Sequence, residues 1–108
     1  MTNPRVMTSD EVRAAFLEHV AAMVDYWETG TRACSLRDRL EGLAFSILVA
    51  LDGEAAALPG FKVSPSPHES DADFHRKEGT NWYPPDVDIA GSLHENFHDA
   101  CRSFRNRQ

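Results

Sequence analysis

Cysteine is scarce in this 108-residue chain, and the two present, Cys34 and Cys101, stand far apart with no CxxC pair. That scarcity excludes a disulfide-stapled scaffold and a thiol-rich metal knuckle, and it predicts two free, mostly buried thiols. Basic charge is short as well, with a formal net charge of −6 and an isoelectric point near 5.2. A chain of that balance is not built to follow a phosphate backbone, where affinity comes from Lys and Arg, so nucleic acid is excluded as a partner. Its small basic group, Arg102, Arg105 and Arg107, suits the negative end of a last helix. No apolar run reaches the roughly 18 to 20 residues that a membrane span needs. The opening MTNPRVMTSDEV lacks the apolar stretch of a secretory signal, so the expected setting is cytoplasmic, without a membrane partner. Also lacking are a Gly-rich phosphate loop, a nucleophile elbow, and a base beside either Cys, Ser46 or Ser64.

What is there has the balance of an ordinary folded protein, 42% hydrophobic and 26% charged. The length suits one domain over 1–108, with 1–7 as a loose N-terminal arm. The longest apolar run lies in residues 35–53, SLRDRLEGLAFSILVALDG. Its Leu36, Leu40, Leu43, Ile47, Ala50 and Leu51 recur at three- and four-residue intervals and predict one stripe of a helix. Ser35 is placed to cap its start and Gly53 to stop it. Phe45, Ile47, Val49 and Leu51 also alternate as a strand would, but the heptad-like spacing begins upstream among Arg and Asp residues, where a buried strand would not start.

Upstream, Thr8 and Glu11 have capping-box spacing. Val12, Phe16, Val20, Met23 and Trp27 follow on one face, flanked by Leu17 and Val24, and predict an amphipathic first helix of about 18 residues closed by Gly30. The short link to Cys34 makes the first two helices antiparallel neighbours. After Gly53, residues 61–63 and 87–89 alternate and are expected to pair as a two-stranded β-ribbon, edged by Pro65 and Pro67. A helical turn is expected between Ser70 and Gly79. A last helix runs from Gly91-Ser92 to about Arg105, with Leu93, Phe97, Ala100, Cys101 and Phe104 on its buried face. The expected fold class is α+β: a helical hairpin, a small ribbon with a long loop, and a C-terminal helix.

The last helix carries His94-Glu95-Asn96-Phe97-His98, the pattern H-E-x-x-H. At i and i+4 two imidazoles share a helix face and can hold one Zn²⁺, while the carboxylate between them can take a proton from metal-bound water. These five residues resemble the zinc-dependent peptidases of the zincin type. The resemblance implies His94 and His98 as ligands and Glu95 as general base. On a helical wheel the three fall beside the apolar stripe, facing away from its centre. The residues after His98 hold no further His or Glu, so a third ligand has to come from upstream. There His68, Glu69, Asp71, Asp73 and His75 cluster, and His75 would complete a three-histidine site. Ser92 and Glu95 also have capping-box spacing, which gives Glu95 a structural task.

A second candidate is Trp82-Tyr83-Pro84-Pro85, where large amphipathic rings beside stiff prolines suit a contact surface. With no complete catalytic constellation, the preferred reading is a small acidic protein that needs no cofactor. It acts by binding a protein partner as an accessory, regulatory or inhibitory factor, or by self-association, with Trp82 and Tyr83 at the contact. The alternative is a compact zinc-dependent hydrolase using His94, His98, His75 and Glu95.

Overall fold

The computed structural model describes residues 4–79, 81–83 and 86–108. Four helices follow in order: α1 (Ser9–Thr29), α2 (Leu36–Leu51), α3 (Asp71–Glu78) and α4 (Leu93–Asn106). Residues 1–3 of the expected arm, and Pro84 and Pro85 of the aromatic-proline group, lie outside the described residues.

α1, α2 and α4 each start where a side chain of their own or of a neighbour takes up free amides. At α1 the capping box forms in full: Thr8 Oγ1 accepts from the Glu11 amide at 3.2 Å, and the Thr8 amide donates to Glu11 Oε1 at 3.1 Å. Arg5 forks onto the same carboxylate at 2.7 and 3.0 Å and, more than the Thr8 bonds, draws its pKa down to about 2. Ser35 caps α2 by accepting from the Asp38 amide at 3.1 Å. Gly53, at φ 87°, turns the chain away beyond its end. The run over 45–51 is therefore helix and not strand.

α1 and α2 pack as an antiparallel hairpin. Gly42 lets them close: a Cβ there would lie 2.6 Å from Trp27 Cζ2, inside the indole ring's own space. Trp27 Nε1 donates to Ser46 Oγ at 2.9 Å, which satisfies the one polar atom of that large ring. α1 has no basic residue in its last turn, so Arg39 of α2 takes that part. Its Nε donates to the Trp27 carbonyl at 3.0 Å, and its guanidinium also reaches the Glu28 carbonyl.

α4 packs on the other side of α2, and α3 packs on no other helix. α2 is thus the middle of a single layer, and the molecule is a plate of 49 × 47 × 20 Å. Ala50 is the one described residue buried in backbone and side chain alike. Phe61 leans back onto the layer, its ring edge-on to Phe16 at 5.4 Å.

The expected α+β class is corrected: the described residues are helical and contain no strand or sheet. Residues 61–63 and 87–89 do meet, through an Ile89 amide donating to the Val63 carbonyl at 2.7 Å. The next rung fails because the Asp88 carboxylate takes the Val63 amide at 2.8 Å and the Ala90 amide at 3.0 Å. A side chain has replaced the backbone acceptor that a ladder would need. Pro65, without an N–H, stops the pairing from resuming. Exposure differs from expectation too. Cys34 is exposed, and Ala100 and Phe104 are exposed because the face of α4 turned to α2 runs through His94, His98, Cys101 and Arg105.

Candidate functional site

Two clusters of chemistry-bearing side chains emerge. The first joins two stretches that the sequence presents separately. α3 carries Phe74 and His75, and Gly79, in the left-handed region at φ 70°, reverses the chain after it. The return brings Trp82 and Tyr83 onto the same histidine. His75 lies 5.3 Å from the Trp82 ring and 6.4 Å from Tyr83, the latter two 5.7 Å apart, with Phe74 edge-on to His75 at 5.6 Å.

Pro65, Ser66, Pro67, His68 and Asp71 line the same open groove as His75, Trp82 and Tyr83, a space of about 480 Å³. That is the size range of ligand and peptide pockets. His68 Nδ1 is held by Ser70, at 2.6 Å from Oγ and 3.2 Å from the amide, which fixes that corner. The prolines stiffen one wall because their φ is locked. Trp82 and Tyr83 keep about half of their surface open, at 41% and 51%.

The second cluster contains the H-E-x-x-H residues, and here the expected orientation is corrected. His94 turns to α2 with the apolar stripe, His98 touches α2 at the edge with 54% of its side chain open, and Glu95 faces solvent. Phe45 of α2 lies against both imidazoles, edge-on to His94 at 5.7 Å and stacked on His98 at 5.4 Å. Each ring's Nδ1 is turned to a carboxylate of α2 or its cap: His94 to Asp52 Oδ2 at 2.5 Å and His98 to Glu41 Oε1 at 3.5 Å.

Asp52 does more than hold a ring. It also accepts from the His94 amide at 2.8 Å and the Gly91 amide at 2.6 Å, so a residue from α2 caps α4. Ser92 makes no side-chain cap bond. The expected Ser92–Glu95 box is therefore corrected: the start of α4 is capped by Asp52 through the Gly91 and His94 amides, and Glu95 turns to solvent. The Asp52 side chain is wholly shielded, and this burial raises its pKa. The bonds from His94, Gly91 and Leu93 outweigh that and hold it at about 2.

Glu41 is the other hub, with Arg37 Nε at 2.7 Å and Arg105 at 3.9 Å. Arg37 above all holds its carboxyl below the usual range. Cys101 lies beside Glu41, and burial, then this carboxylate, push the thiol pKa up, which leaves it protonated and a poor nucleophile.

The structure does not bring the proposed zinc ligands together. Among the described residues no three of His, Cys, Asp or Glu are grouped to hold a metal, and His75 belongs to the aromatic groove instead. Sequence reasoning missed Asp52, Glu41 and Phe45. Their signal was faint: a carboxylate closing an apolar helix reads as a solvated end until a second helix N-terminus is placed on it.

No family model matches the chain, and neither a curated protein nor a solved structure matches it. No helix among the described residues is long and apolar enough to cross a membrane.

Proposed function

We propose that this protein acts by binding, holding an extended segment of a protein partner in the groove between Trp82, Tyr83, His75 and the Pro65–Pro67 wall. The observation that carries this reading is the convergence of three aromatic or imidazole rings on one face of a stiff, open groove. Exposed Trp and Tyr supply contact area at small entropic cost and dominate the energy of such contacts. Asp71 in the lining and a net charge of −6 favour a segment carrying Lys or Arg. This suits an accessory, regulatory or inhibitory factor working in the cytoplasm. The alternative, zinc-dependent hydrolysis at His94 and His98, would need a third ligand. Their Nδ1 contacts to Asp52 and Glu41 give both rings a structural part without one.

Selection from a displayed peptide library tests the reading. The expected outcome is enrichment of basic, proline- or aromatic-containing peptides. Trp82→Ala should weaken their binding at least about tenfold, as loss of a central aromatic anchor does, with unchanged helical circular dichroism. Failure to enrich, or binding indifferent to Trp82→Ala, would remove the proposal.

A further inference from the structure

We infer that a second copy of this chain covers the open face of α2, so that two α1–α2 hairpins close into an antiparallel four-helix bundle. The first ground is the stripe itself. Leu36, Leu40, Leu43, Ile47 and Ala50 are spaced four, three, four and three residues apart, the a and d repeat of a helix that packs along another helix. Only Ala50 of that stripe is buried, while Leu36 is 68% and Leu40 57% exposed. α1 adds Leu17 and Val24, both exposed, and Val24, Trp27, Leu36, Leu40 and Leu43 line one hollow of about 350 Å³ between the two helices. Isolated exposed leucines need no explanation; a seam in heptad register does.

The second ground is area. A compact chain of 12.1 kDa exposes about 6,000 Å², whereas this one exposes 8588 Å². Its radius of gyration is 17.9 Å against about 13 Å for a compact domain of this length. That excess, roughly 2,500 Å², is shared with α3, which packs on no other helix, and with the stretches beside it. It still leaves room for the about 1,000 Å² or more that one subunit gives to an obligate homodimer interface, half of the total buried. α1, α2 and α4 form one helix layer, and a second such layer is the simplest way to give it an interior.

Charge along α2 does not oppose an identical partner. The chain carries −6 overall, yet α2 balances Arg37 and Arg39 against Asp38 and Glu41. Two copies therefore meet along α2, the centre of the seam, without net charge repulsion there. A two-fold axis near Leu43 would set each seam against itself and leave the Trp82 groove, on a different part of the chain, free for a partner.

Sedimentation velocity of the full chain across the micromolar range decides it. Wild type should sediment at about 24 kDa, twice the chain mass. Leu40→Glu and, at the more exposed position, Leu36→Lys should each shift it to about 12 kDa. Leu36→Lys, whose side chain touches little within one chain, should keep the helical circular dichroism and so separates dissociation from unfolding. A wild-type monomer throughout the range, a dimer that survives both variants, or one lost only with Trp82→Ala would overturn the inference. The last outcome would place self-association in the groove instead.

Discussion

Asp52 shows how much one residue can decide here. Its carboxylate closes α2, caps α4 and orients His94, and its side chain has no access to water. Asp52→Asn keeps the shape but turns a donating NH₂ group toward amide donors, so we expect a loss of about 2 kcal/mol, measured by urea denaturation at pH 7. The pH dependence follows from the same contacts. With its pKa held at about 2 in the folded chain against about 3.9 unfolded, the unfolded state binds the proton more readily. Stability from this group is full above about pH 4 and is lost as pH falls toward 2. A stability curve from pH 6 to 2 should therefore be flatter in Asp52→Asn than in wild type.

Elements differ in how far they are locally specified. α1 and α2 begin with side-chain caps of their own, at Thr8 and Ser35, and both were legible as sequence spacing. α4 carries a Ser–x–x–Glu signature that its structure does not use, because its cap arrives from 42 residues away. This yields a differential expectation. Ser35→Ala should cost about 1 kcal/mol, and Ser92→Ala should lie within about 0.5 kcal/mol of wild type by thermal or chemical denaturation. The lost β-ribbon has the same kind of cause. Alternation at 61–63 and 87–89 was real, but a count of apolar residues does not reveal that the Asp88 side chain will occupy the amide of Val63.

For the molecule as a whole, three helices in one layer leave most of the apolar surface half covered. A dimer closed on the α2 seam ties folding to association, so the melting temperature of wild type should rise with protein concentration, and that of Leu40→Glu should not, in a calorimetric dilution series. The heptad spacing of residues 36–50, the capped starts of α1 and α2 and the aromatic character of Trp82 and Tyr83 all follow from the sequence alone, since periodicity and capping depend on neighbours within a turn or two. Tertiary structure alone decided that His75 joins the two rings, that His94 and His98 turn toward Phe45 and the carboxylates of α2, and that Leu36 and Leu40 stay bare. Those outcomes depend on residues far apart in the chain, and on which helix faces find a partner within one copy.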